Sequence, residues 1–179
     1  MSFAEKLRWA LLLASFVVTP ALAWPQTAQS PQSQSNKQAH ASLNAAGHKT
    51  YRLDVDATKQ WVDTNIDVRG GEKLRITASG KLTYPPAGKN PDARTFGPDG
   101  LDRGWADLIH AYGVSDANHG ALIARVGSGD AAQPFALGLT KDFTVPVAGR
   151  LFLGINQSSK DAEAAKGSFH VTVEVLDPG

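Results

Sequence analysis

The sequence predicts an all-β domain, an antiparallel two-sheet β-sandwich of jelly-roll type. Three observations carry that reading. Apolar residues recur at every second position from Lys49 onward, turn residues interrupt them at short intervals, and no long stretch has the period of a helix. Roughly eight such segments in residues 47–179 suit a sandwich of two sheets.

The first residues precede that domain. Lys6 and Arg8 stand before the apolar run from Trp9 to Val18, and Ala21-Leu22-Ala23 offers a small-x-small cleavage site. These are the parts of a secretory signal peptide, residues 1–23, too short for a membrane anchor. Export to the periplasm or the medium is expected, with no membrane attachment after cleavage. Residues 24–46 are built mainly from Gln, Ser, Ala, Asn and Pro and read as a flexible linker, because they bury too little surface to offset the entropy of ordering.

Loss of Lys6, Arg8 and Glu5 takes the formal charge from +1 to 0. A neutral chain without a basic stripe gives no electrostatic case for nucleic acid. The chain contains 0 cysteines, which excludes disulfides, thiol catalysis and thiolate metal sites. An exported domain of this kind relies on an ordinary apolar core.

The strands follow in order. Tyr51, Leu53 and Val55 alternate with Arg52, Asp54 and Asp56, and Val62, Thr64, Ile66 and Val68 with Asp63, Asn65 and Asp67. After the turn "RGGE", Leu74, Ile76 and Ala78 alternate with Arg75, Thr77 and Ser79, and Gly80 marks a bend or bulge before Lys81 to Tyr84. "ALIARVG", "PFALG" and "KDFTVPV" supply short strands. Leu151, Leu153 and Ile155 form one face of the next, and Phe169, Val171, Val173 and Val175 one face of the last. Leu74, Ile76, Leu151, Leu153, Phe169, Val171 and Val173 are the expected core.

Two connections stand out. Pro85 to Gly120 is long for a loop within a domain and carries Phe96, Trp105, Tyr112 and several acids. The second, "GINQSSKDAEAAKGSF", separates the last two strands. Ser158 with Asp161 three residues on has the spacing of a capping box, Ala162 to Lys166 are good helix formers, and Gly167 suits a left-handed terminating position. A short helix is expected there.

Five blocks in order, "ITASGKLTY", "GPDG", "GALIARVGSG", "GRLFLGIN" and "GSFHVTV", resemble the PA-I galactophilic lectin family over roughly residues 50–176. The resemblance implies a galactose-binding-domain-like β-sandwich. It also implies a site in which one calcium ion is completed by sugar hydroxyls, with ligands from a tyrosine carbonyl and the loop before the last strand. Tyr84 is similar to that tyrosine. At the position of the family's ligand aspartate this sequence has Gln157, and at two ligand asparagines it has Ala164 and Ala165. "GLDRGWADLIH" stands where the family has a His-Pro-x-Gln sugar contact. Calcium takes six to eight hard oxygens, usually with carboxylate charge. The expected cofactor is therefore none, with Asp161 and Glu163 the weaker alternative as displaced metal ligands.

The candidate ligand-binding residues are Tyr84, Trp105, Asn156 and Gln157. Trp105 could stack on a sugar ring or plug the sandwich end. Asp99, Asp102 and Asp107 could gather around a cation, but Asp-Gly there reads better as a turn. His110 and His119 flank Tyr112 without zinc-ligand spacing, and His170 lies on a polar strand face. No nucleophile elbow is present, so an enzyme is not expected. The expected function is a secreted or periplasmic lectin-like module, binding carbohydrate without calcium. The alternative is a structural or protein-interaction domain on the same fold. A glycan or a surface protein is the expected partner.

Overall fold

A computed structural model describes residues 40–43, 48–86, 92–102, 112–129 and 131–177. The expected signal peptide, most of the expected linker, and Trp105, Asp107 and His110 lie outside the described residues. Among the described residues ten strands and one short helix follow in chain order: β1 (His40–Leu43), β2 (Lys49–Asp56), β3 (Trp61–Val68), β4 (Lys73–Tyr84), β5 (Arg94–Phe96), β6 (Leu122–Val126), β7 (Phe135–Ala136), β8 (Thr140–Thr144), β9 (Gly149–Ile155), α1 (Ser159–Ala164) and β10 (Lys166–Asp177).

The strands form two antiparallel sheets. The first runs β1-β2-β10-β4-β5, with β8 also pairing β4; the second runs β3-β9-β6-β7. Every residue of the predicted core is buried, and the inward faces of both sheets contribute to one cluster. Alternation is the cause: Leu53, Val55, Val171 and Val173 face inward while Arg52, Asp54, His170 and Thr172 face out.

Gly80 does not break the ladder, contrary to the expected bend or bulge: β4 runs through it in unbroken register with β10, from Thr83 opposite Lys166 to Leu74 opposite Val175. Gly80 has φ +100 opposite Phe169, and a Cβ there would stand 2.5 Å from the Ser168 carbonyl oxygen. Gly167, also at φ +100, lies opposite Leu82. Two glycines on neighbouring strands thus permit the close approach of β4 and β10.

Strand β3 is an edge. Its ladder with β9 shifts between Asp63 and Ile66, where Asn65 adopts φ 58. Arg150 reaches back across this irregularity to Asp67 at 2.6 Å and Asn65 at 2.8 Å. An irregular, charged edge is a poor template for pairing with another chain.

In β6 the outward residue is buried too. Ile123 packs with Val114, Ala117 and Ala121, so the segment before β6 covers the outer face of this sheet. On the same face the Arg125 guanidinium lies 4.4 Å from the Trp61 ring centre and 5.2 Å from that of Phe152.

Three further expectations are corrected. Residues 40–43 of the expected linker form β1, antiparallel to β2, although all four side chains are exposed. Composition reports side-chain burial, and this strand is held through its backbone instead. The long connection from Pro85 contains β5, paired with β4 through Leu82, Thr83 and Tyr84. Finally, α1 stops at Ala164 because Ala165 turns extended (ψ 150) and β10 begins at Lys166, so Gly167 serves the strand and not the helix end.

Candidate functional site

Of the residues singled out in sequence, Tyr84, Asn156 and Gln157 meet at one end of the sandwich, where β4, the β9–β10 connection and the segment before β6 converge; Trp105 lies outside the described residues. Tyr84 ends β4 and is 2% exposed. Its ring lies 4.8 Å from Phe96 and 4.9 Å from His119, and His119 stacks on Tyr112 at 4.3 Å with 5° between the planes. The Arg94 guanidinium lies 6.0 Å from the Tyr84 ring centre.

Asn156 and Gln157 follow β9 and turn inward. Gln157 Oε1 accepts from the Tyr84 hydroxyl at 2.8 Å, and its Nε2 donates to the Ala57 carbonyl at 2.8 Å. Asn156 Oδ1 accepts from the Val114 amide at 3.0 Å. Its Nδ2 faces the carbonyls of Val114, Ala117 and Asn118 at 3.0, 3.1 and 3.1 Å. Both amides are buried, and these bonds engage their donors and acceptors within the protein. The sequence reading placed them where a ligand hydroxyl would meet them. Their side chains instead tie the β9–β10 connection to the segment before β6 and to the end of β2, because a buried amide must find its partners inside.

The predicted capping box is present. Asp161 N donates to Ser158 Oγ at 3.2 Å, Ser158 N donates to Asp161 Oδ2 at 3.3 Å, and Ser158 Oγ donates to the same carboxylate oxygen at 2.6 Å. His119 Nε2 lies 3.1 Å from that oxygen. Burial works against ionisation of Asp161, but the Ser158 hydroxyl and the His119 ring outweigh it and hold the carboxyl below its usual value. Burial pushes the Tyr84 phenol well above its ordinary value, with the Asp161 carboxylate adding to the effect. Tyr84 is thus a neutral hydroxyl donor. Glu163, two residues from Asp161, is exposed.

These residues do not fit calcium. The Gln157 oxygen accepts from Tyr84, the side chains of Ala164 and Ala165 are only methyl groups, and Asp161 is held by Ser158 and His119. No three His, Cys, Asp or Glu side chains gather among the described residues. Asp99 belongs to a turn closed by the Gly100 amide on the Gly97 carbonyl at 3.0 Å, and its carboxylate accepts from the Leu139 amide at 2.7 Å. The sequence raised His119 only as a zinc ligand; its contact with Asp161 is what sequence reasoning missed. His119 stands 42 positions from Asp161, a separation that no local spacing rule can join.

Two antiparallel sheets around one core define the class: an all-β domain of two-sheet type. Among solved structures the chain is similar to the N-terminal domain of EclA, a PllA-like lectin, at 21% identity and a TM-score of 0.52. The likeness covers 69% of this chain and 94% of that one, and it concerns the fold. No protein-family model and no curated protein matches the chain.

Proposed function

We infer that this chain is an exported, lectin-like binding module, not an enzyme, which recognises carbohydrate without calcium. The observation that carries the calcium-independent part is the Tyr84–Gln157–Ala57 chain of hydrogen bonds. It occupies, with a neutral amide, the position where the resemblance to the PA-I galactophilic lectins implies a ligand carboxylate. The galactose-binding-domain-like, jelly-roll form of the sandwich rests on the same resemblance. The lectin-like fold of the EclA domain supports carbohydrate as the ligand class.

In this reading Trp105 supplies the ring for stacking on a sugar face. Glycan-array binding by the full chain, with and without chelator, tests it: signal that survives chelation is expected, and signal lost on chelation overturns it. Export rests on Lys6, Arg8, the apolar run and Ala21-Leu22-Ala23. N-terminal sequencing of exported protein should begin at Trp24, and a retained Met1 refutes that.

A second reading draws on the internal engagement of Asn156 and Gln157, whose amides are turned away from any ligand. A domain that has closed its site in this way suits a structural or protein-interaction role. An array without signal, together with capture of a surface protein, favours it.

A further inference from the structure

The outward face of the first sheet carries a groove of about 280 Å³ lined by Arg52, Asp54, Ser79, His170 and Thr172, with Leu53 and Val171 beneath them. The strand register explains why these side chains meet. Asp54, His170 and Ser79 are directly opposed on β2, β10 and β4, and Arg52 opposes Thr172 one pleat along. Their neighbours Leu53, Val171 and Ala78 are buried in the core, so all five stand on the other face. Opposed side chains in such a ladder are about 5 Å apart, which makes two adjoining polar rows.

His170 Nδ1 lies 2.6 Å from Asp54 Oδ1. That contact orients the ring and engages the one carboxylate of the groove, leaving Nε2 on the opposite side of the imidazole. The side chains of Arg52, Ser79 and Thr172 have no hydrogen-bond or ion-pair partner among the described residues. The unpaired charge in the groove is therefore a guanidinium, a planar fork matched to carboxylate geometry. Around it stand two hydroxyls and an imidazole nitrogen, groups that exchange hydrogen bonds with alcohols. The volume falls just under the roughly 300–1,000 Å³ of sites for drug-sized ligands, which suits a single sugar ring.

We propose that this groove binds a uronic acid residue, with its carboxylate on Arg52 and its hydroxyls on Ser79, Thr172 and His170. Carbohydrate as ligand class rests on the lectin-like reading above; the acidic sugar and the place rest on the groove. Calorimetric titration of the full chain with glucuronic acid, glucose and acetate tests it, repeated on Arg52→Gln. Glucuronic acid should bind at least tenfold more tightly than either control. Arg52→Gln should lose at least tenfold in affinity for it (about 1.4 kcal/mol) while melting as wild type does, since Arg52 is exposed. Equal affinity of the variant, or acetate matching glucuronic acid, overturns the proposal. Neutral glycans bound equally by both proteins, without uronate binding, overturn the groove and leave the lectin-like reading standing. No binding of any glycan overturns both.

Discussion

Replacing Gln157 by alanine removes both bonds that close the end of the sandwich. The Tyr84 hydroxyl and the Ala57 carbonyl each lose a partner at 2.8 Å, in residues 2% and 0% exposed. A buried polar group left without a partner costs about 1–3 kcal/mol, so two cost about 2–6 kcal/mol before any water enters. A value of about 3 kcal/mol corresponds to a fall in Tm of about 6–12 °C for a chain of this size. Tyr84→Phe supplies the control, because it deletes the hydroxyl that Gln157→Ala would strand. In the Tyr84→Phe background the Gln157→Ala change should therefore cost about 1–3 kcal/mol less than in wild type. Urea and thermal unfolding followed by circular dichroism read both quantities. A Gln157→Ala protein melting with wild type, or two changes that simply add, would refute the internal closure.

Asp161→Ala should cost about 1 kcal/mol at neutral pH, because it removes one half of the capping box and the partner of His119. The Asp161 carboxyl is held below its usual 3.8, so the contribution is full above that value and is lost as pH falls through the lower folded value; variant and wild-type melts should converge in acid. Val171→Ala, at a position 2% exposed between the sheets, should cost about 1–3 kcal/mol in chemical denaturation, and an unchanged midpoint would place Val171 on the wrong face. Gly80→Ala should destabilise by more than about 1 kcal/mol, since φ +100 disfavours a side chain and the new Cβ meets the Ser168 carbonyl; an unchanged melt would show that the backbone relaxes there freely.

The strands were legible because their signal is local. Period-two alternation in residues 51–55, 74–78 and 169–175 names both the element and its inward face, and burial follows it residue by residue. The capping box was legible for the same reason, since Ser158 and Asp161 are three apart. The end of α1 was not. Gly167 carries the left-handed φ expected of a helix terminator, but the same conformation serves the contact of β10 with β4, which is set by a strand more than eighty residues earlier. His119 was noticed only as a possible zinc ligand for a related reason: its stacking on Tyr112 and its contact with Asp161 are products of the fold. Asn156 and Gln157 were found as chemistry, but the direction in which their amides point was not legible. A polar pair at a strand end reads the same in sequence whether it faces a ligand or the protein's own carbonyls. Burial decides, and burial is tertiary.

Thermal unfolding of the full chain in calcium and in chelator tests the closed end most directly. Weak extracellular calcium modules have Kd values of about 10⁻⁴–10⁻³ M, so calcium at about 10 mM would saturate such a site. Occupancy at tenfold over Kd would stabilise the folded chain by about 1.4 kcal/mol, a rise in Tm of about 3–6 °C. With Gln157 on Tyr84 and Ala57, and Asp161 on Ser158 and His119, the expected result is superimposable melts. A calcium-dependent rise that disappears in Asp161→Ala would contradict it and restore a metal to this loop.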